Sequence, residues 1–323
     1  MSTPQCPKHP DAPLRSEVFR TQDYFWGVDG EFTYAACPVC GSWILSPPPT
    51  PSDMGQYYAH YYPPAFLEEF AKRCETKRLS SALAIDGARA KQSVWRLRRL
   101  GWRPTQDQRV LDVGCGLGGF LRGLKSWFGV TVRGVDFDPR CRDFVGRVHG
   151  IDVDVGELAA QQYPDEHFDV ITSWHCLEHT YAPTDELAEM ARVTKKGGWM
   201  VLEVPTHGLL GRLFRGRWAF LQAPTHLFLF KPKTLRALVE SAGFRVRRME
   251  RPWLPSEFAA SVLTALGLKG LAPRLIHGKA SAELGWKLLF ALLLPLDIVL
   301  TLVLALGGDS GVVRLYAERT EDP

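Results

Sequence analysis

The chain has 323 residues, of which 46% are hydrophobic and 23% charged, with 7 cysteines. That apolar content excludes disorder as the dominant state, and sparse, odd-numbered cysteines exclude a disulfide scaffold. The net charge of +4 conceals a segregation: residues 72–103 and 207–251 each carry 10 basic and 2 acidic side chains, whereas residues 104–206 carry 10 and 16. Residues 1–15 hold no apolar run of the kind that opens a secretory signal, so a reducing, cytoplasmic setting is expected.

Residues 1–50 contain Cys, Pro and aromatic residues without helical periodicity. Within them, Cys6-Pro7-Lys8-His9 and Cys37-Pro38-Val39-Cys40 form a C-x2-H … C-x2-C set. Two knuckles with two-residue gaps let three thiolates and an imidazole turn back on one tetrahedral zinc ion. A redox pair would need only one C-x-x-C, so structural zinc at Cys6, His9, Cys37 and Cys40 is the expectation. The run Pro47-Pro48-Pro49-Thr50-Pro51 closes this leader as a stiff segment. Residues 51–104 follow as an aromatic connector, Tyr57-Tyr58-Ala59-His60-Tyr61-Tyr62, and then one or two basic helices over 65–102.

From residue 109 the pattern alternates. Strands are predicted at Arg109–Val113, Thr131–Val135, Ile151–Val155, Phe168–Ser173, Gly198–Val204, Phe244–Glu250 and Val312–Glu318. Helices, among them Glu186–Val193 and Pro232–Ala242, fall between them. The expectation is an α/β domain over 105–323, a doubly wound sheet.

Asp112-Val113-Gly114-Cys115-Gly116-Leu117-Gly118 follows the first of these strands and opens a helix. Glycines there let backbone approach a ligand where a Cβ would clash. Asp136 closes the second strand, where a carboxylate can accept from ribose hydroxyls. A dinucleotide and another adenosine-containing cofactor both fit that much. The fuller pattern Val110-Leu111-Asp112-Val113-Gly114-Cys115-Gly116-Leu117-Gly118 resembles the first motif of class I S-adenosylmethionine-dependent methyltransferases. Phe168-Asp169-Val170-Ile171 resembles that family's fourth strand, and Arg192-Val193-Thr194-Lys195-Lys196-Gly197-Gly198 its "RvLkpGG" turn. The resemblance, over roughly 105–250, implies a seven-stranded Rossmann-like sheet and S-adenosylmethionine as cofactor. It implies cofactor contacts at Asp112, Gly114, Cys115, Gly116, Gly118, Asp136, Phe137, Glu157 and Trp174, with Glu157 near the adenine.

After the fourth strand comes Ser173-Trp174-His175-Cys176-Leu177-Glu178-His179. If helical, His175, Glu178 and His179 share one face, which could supply a general base or grip a metal. The segment resembles the "HvLEH" signature of a large methyltransferase subfamily. It also resembles the E-x-x-E-H stretch of quinone-biosynthesis O-methyltransferases, in which the acids and His bind a metal; here His175 stands in place of the first Glu. Pro224-Thr225-His226-Leu227-Phe228 resembles the subfamily's "P-x-H-L-x-x-F" stretch, which makes His226 a candidate for contacting substrate, with Trp218 in the same pocket. The candidate catalytic residues are therefore His175, Glu178, His179 and His226, with His179 or His226 as the base. The leader likewise resembles the zinc-binding leader of this subfamily, with His9 in place of a cysteine.

One segment needs a separate account. Leu288–Leu306 holds nineteen residues with a single charge, Asp297, and one proline, Pro295. A helix there would reach about 28 Å, near the ~30 Å of bilayer hydrocarbon. Because the last strand must return to the same sheet, a single crossing is excluded. The insertion 251–311 must re-enter, lie in the interface, or pack as an internal hairpin or dimer contact, and Pro295 is expected to break the run. The basic blocks would then face anionic headgroups on the inner face of the membrane, or a substrate phosphate. Acceptors that fit are a sugar, an isoprenoid-linked glycan or a quinone precursor. A nucleic-acid methylase is the alternative offered by the knuckle and basic blocks; the lack of a (D/N)-P-P-(Y/F) motif and of a Pro-Cys nucleophile weighs against it. A non-catalytic S-adenosylmethionine-binding protein is the third class, and oligomeric state is left open.

Overall fold

The computed structural model describes residues 5–75, 81–270 and 284–320. Residues 76–80, inside the predicted basic helices, and 271–283, inside the insertion, lie outside the described residues. The leader forms three strands, β1 (Arg15–Thr21), β2 (Phe32–Ala36) and β3 (Trp43–Leu45). Helices α1 (Pro51–Tyr58), α2 (Pro64–Glu75) and α3 (Ser81–Arg99) follow. Thr50 opens α1 by accepting from the Asp53 N–H, with Pro51 in the first turn where its missing N–H costs nothing.

The alternating part then reads β4 (Arg109–Val113), α4 (Gly119–Phe128), β5 (Thr131–Asp136), α5 (Pro139–His149), β6 (Val153–Val155), β7 (Phe168–Trp174), α6 (Pro183–Val193) and β8 (Thr194–Pro205). Beyond it lie α7 (Leu209–Phe214), β9 (Phe228–Leu229), α8 (Pro232–Ser241), β10 (Phe244–Glu250), α9 (Glu257–Ala265), α10 (Leu284–Leu306) and β11 (Val312–Arg319). The seven-stranded sheet runs β10-β11-β8-β7-β4-β5-β6, with β11 antiparallel to both its neighbours and β4 to β8 mutually parallel. This is the doubly wound α/β sheet that the strand–helix alternation predicted, with the seven strands that the motif resemblance implies. The order of strands reverses between β4 and β7, so their carboxyl ends open a crevice.

A second sheet, β1-β2-β3-β9, is antiparallel and takes its last strand from Phe228–Leu229, far along the chain. The leader is therefore hydrogen-bonded to the segment that carries His226.

Three expectations are corrected. Pro295 does not break the apolar run: α10 continues through it. The proline is exposed, so the Ala291 carbonyl that loses its partner sits on an open face, and leucine-rich neighbours carry the helix onward. The His-Cys-Leu-Glu-His segment is not an α-helix; only Leu177–His179 forms a short turn, and His175 has φ 52°, which no helical face contains. Nor is the insertion a fully internal hairpin: α10 packs on α9, yet only 11% of its apolar window is buried. Much of the first basic block is used inside the fold. Arg89 pairs with Glu203, Arg96 with Glu250, and the Arg98 guanidinium lies over the Phe128 ring.

The candidate active site at the carboxyl ends of the strands

The glycine loop between β4 and α4 turns by positive φ at Gly114 (73°), Gly116 (50°) and Gly118 (70°). A Cβ on Gly114 would stand 2.6 Å from the Cys176 Sγ, and one on Gly116 would stand 3.0 Å from the Tyr62 hydroxyl. The loop is thus the floor of a crevice whose walls are Cys176 and the connector tyrosines. No side chain of the N-cap closes α4, and a helix N-terminus of this kind suits an anionic ligand group. Asp136 is buried at the end of β5; its Oδ2 accepts from the Gly116 N–H at 2.8 Å and its Oδ1 from the Asp138 N–H at 3.0 Å. Each oxygen keeps a second lone pair for a hydroxyl. Phe137 beside it is exposed and meets Tyr58 edge-on at 4.6 Å. Glu157 is exposed at the end of β6. These residues fit an adenosine-type cofactor.

Other predicted contacts lie deeper. Asp112 is fully buried and accepts from Thr172 Oγ1 at 2.6 Å; burial pushes its carboxyl up to about 8. The Cys115 side chain is buried against Gly134, so only its backbone belongs to the loop. Trp174 is turned into the core, packed on Phe120 at 4.9 Å with the guanidiniums of Arg89 and Arg314 over its ring. It supports the site from beneath.

A second cluster at the carboxyl ends of the strands centres on Glu178. Its carboxylate is fully buried, and neither oxygen has a hydrogen-bond partner among the described residues. Three imidazoles face Oε1: His175 Nδ1 at 3.7 Å, His226 Nε2 at 3.8 Å and His179 Nε2 at 4.0 Å. Ligand atoms of Glu178, His179 and His226 all lie within 4.8 Å of one another, close enough to share a cation or a water.

The environment sorts the three histidines. Burial would lower His175, but its contacts with Glu178 and Glu203 outweigh burial and raise it to about 9, so it is a cation at neutral pH. Its Nε2 donates to Glu203 Oε1 at 3.1 Å. Burial lowers His179, and lowers His226 further, helped by the neighbouring imidazoles. The Thr225 carbonyl sits 2.7 Å from His179 Nδ1, so that nitrogen must hold the proton and Nε2 presents a lone pair. His179 retains 16% side-chain exposure against 3% for His226. Of the two candidate bases, His179 is therefore the neutral one that a substrate can reach. Trp218 is buried and donates its N–H to Glu257 at 2.9 Å, which makes it a packing residue.

The leader cluster is tightly assembled. Cys6 Sγ lies 3.7 Å from Cys40 Sγ and 3.6 Å from His9 Nδ1, and Cys37 Sγ lies 3.6 Å from the same nitrogen. Zn–S of about 2.3 Å and Zn–N of about 2.0–2.1 Å at tetrahedral angles require edges of about 3.8 and 3.6 Å. The donor set fits that ion.

A family profile described as "Methyltransferase domain" matches residues 57–248, more than half of the chain. The chain belongs to that family. This methyltransferase is similar in fold to a putative sarcosine dimethylglycine methyltransferase from Galdieria sulphuraria, with a TM-score of 0.51 at 17% identity, covering 72% of this chain and 86% of that one. In sequence it is 39% identical over 113 residues to the ubiquinone biosynthesis O-methyltransferase of Thiobacillus denitrificans, covering 32% of this chain and 48% of that protein. The corresponding protein of Paracidovorax citrulli is 35% identical over 114 residues, covering 32% and 47%. The methyltransferase thus spans about half the length of the curated relatives it matches.

Several site residues escaped sequence reasoning. Tyr61 bonds Thr225 Oγ1 at 2.9 Å, Tyr58 meets His179 edge-on at 5.9 Å, and Tyr34 donates to the His226 carbonyl at 2.6 Å. The doubled tyrosines of the connector were the available signal. Glu203, Arg314 and Arg89 form the ion network behind His175, for which a lone Glu in an apolar strand was the only sign.

Proposed function

We propose that this methyltransferase moves the methyl group of S-adenosylmethionine to a hydroxyl oxygen of a small acceptor of the quinone-precursor class, with His179 as the base. The observation that carries the reading is the pocket of Glu178 and three histidines, in which one imidazole alone is neutral, oriented and accessible. When bound, the cofactor supplies an electrophilic methyl on sulfur. Glu178 and His175 set the local charge, and the Thr225 carbonyl fixes the His179 tautomer. His179 Nε2 takes the acceptor's O–H proton as the oxygen–carbon bond forms and the carbon–sulfur bond breaks. General-base help of this kind contributes roughly 10²–10⁴-fold, and holding the two reactants in line supplies much of the rest. The curated relatives, named for O-methylation in ubiquinone biosynthesis, support the acceptor class.

Structural zinc on Cys6, His9, Cys37 and Cys40 is part of the same proposal, supported by the tetrahedral edges given above. The deciding experiment compares wild type with His179→Ala on a panel of catechol and phenol acceptors. We expect kcat to fall at least about a hundredfold with S-adenosylhomocysteine affinity unchanged. The basic plateau of the pH profile should be lost. Full turnover by the variant would sink the assignment.

A further inference from the structure

Helix α10 is built inside out for water. Its two buried side chains, Asp297 and Thr301, are polar and point inward. Asp297 is fully buried and accepts from the N–H groups of Ser256, Phe258 and Ala259 at 2.6, 2.7 and 3.0 Å. The one charge in the apolar run is thus the cap of α9, supplied from another helix. One turn on, Thr301 accepts from the Trp253 indole N–H at 2.9 Å. Trp286, Leu289 and Phe290 pack on the Ala219, Ala260, Leu263 and Leu268 cluster. From Leu288 onward the outward face is aliphatic: Leu288, Leu292, Leu296, Val299, Leu302, Val303 and Leu306 stand 41–81% exposed at helical spacing. A soluble helix places these faces the other way round, and exposed apolar area on this scale marks an interaction surface.

We infer that the open face of α10 seats in the surface layer of a lipid bilayer, lying in the plane of the membrane. The helix has 23 residues and is about 34 Å long, enough to cross. Its inward face, however, rests on protein from Trp286 to Thr301, so no lipid could surround it. Three further observations favour lipid over a second copy of the chain. The face is aliphatic throughout, whereas protein interfaces concentrate aromatic and Arg anchors. The exposed Trp253, whose N–H reaches Thr301, stands toward one end, the position that indole rings take at the headgroup level. On α7 and the turn after it, which pack on α9, exposed Leu209 and Leu213 alternate with exposed Arg212, Arg215 and Arg217. Such a face suits anionic headgroups.

The seat is joined to the reaction site through short stretches of chain. After α10 the chain returns to the carboxyl end of β8, where the Thr206 N–H donates to the Gly311 carbonyl, three residues from Glu203. Trp218, which packs on α9, lies eight residues before His226. A bilayer under α10 would present the crevice to acceptors whose tails stay in lipid. That acceptor class rests on the methyl-transfer reading; the seat does not.

The test floats the purified full chain with vesicles of phosphatidylcholine and phosphatidylglycerol, wild type beside L292E/V299E. Wild type should rise with the vesicles, with at least about tenfold less of the variant bound. S-adenosylhomocysteine affinity, measured by calorimetry, should be equal in the two, which shows that the variant is folded. If the glutamates unfold the chain, L292S/V299S is read in the same gradient. Wild type that stays in the aqueous layer overturns the inference; if it is then a dimer that L292E/V299E splits, the face belongs to a second copy. Flotation as expected without cofactor binding by either chain would sink the methyl-transfer reading and leave the membrane seat standing.

Discussion

Replacing Glu203 by glutamine tests the network that holds His175. The carboxylate is buried and is the cross-strand neighbour of Arg314. Arg314 Nε and Nη2 reach Oε2 at 2.7 and 2.6 Å, while Arg89 and His175 share Oε1 at 3.1 Å each. An amide keeps the shape and removes the charge, leaving the buried guanidinium of Arg314 over Trp174 without its carboxylate. Removing one partner of a buried pair costs about 3–5 kcal/mol, a large part of the roughly 5–15 kcal/mol that hold a domain. The expected fall in Tm is on the order of 10 °C, read by scanning fluorimetry at pH 7. The double variant E203Q/R314M, which removes both partners of the Glu203–Arg314 pair, should recover much of it. The pH dependence has a definite sign. Burial alone would raise Glu203, but Arg314, His175 and Arg89 hold it well below the usual range, so its contribution is lost only in strong acid. His175 is raised from 6.5 to about 9. Its contribution is complete below 6.5 and is lost as pH rises through 9. Wild-type Tm should therefore decline across that interval, and E203Q should flatten the decline. A variant melting within about 2 °C of wild type, or with the same slope, would refute the reasoning.

Gly114→Ala would place a Cβ 2.6 Å from the Cys176 Sγ at a φ of 73°. S-adenosylhomocysteine affinity should fall at least about tenfold, from roughly 1–2 kcal/mol of backbone strain plus the displaced thiol. An unchanged dissociation constant in calorimetry would show that the loop does not face the cofactor. Cys37→Ser removes one of the four donors in the leader. Metal analysis should read about one zinc per chain in wild type and much less in the variant, with a lower Tm; equal metal content would count against the site.

Strands were legible where short apolar runs end in glycine or a turn. Arg109–Val113 and Phe244–Glu250 have the predicted bounds, and the others differ by a few residues at their ends. What stayed hidden depended on contacts far apart in sequence. Phe228–Leu229 is too short to announce a strand and exists because Trp43 and Ile44 pair with it. The helical spacing of His175, Glu178 and His179 was sound arithmetic, yet Glu203 holds the His175 backbone and side chain away from a helix. The three histidines do converge on Glu178, through a route that includes His226 from another loop. Asp297 looked like a blemish in an apolar run; its role needed the start of α9 beside it. The connector tyrosines carried a visible pattern but no offset that ties them to the crevice.

The leader and the acceptor pocket form one mechanical unit. Cys37 and Cys40 flank the turn between β2 and β3, and β3 pairs with β9 two residues beyond His226. Tyr34 on β2 holds the His226 carbonyl, and His207 stacks on Trp43 at 3.8 Å while its Nε2 donates to the Gly41 carbonyl. Each contact joins the knuckle to a loop at the carboxyl edge of the sheet. A loop of this length without internal structure would wander by more than the few tenths of an ångström that proton transfer tolerates. On the zinc proposal, closing the knuckle on a metal would do more than staple fifty residues. It would fix the strand against which His226 and, through Thr225, the tautomer of His179 are set.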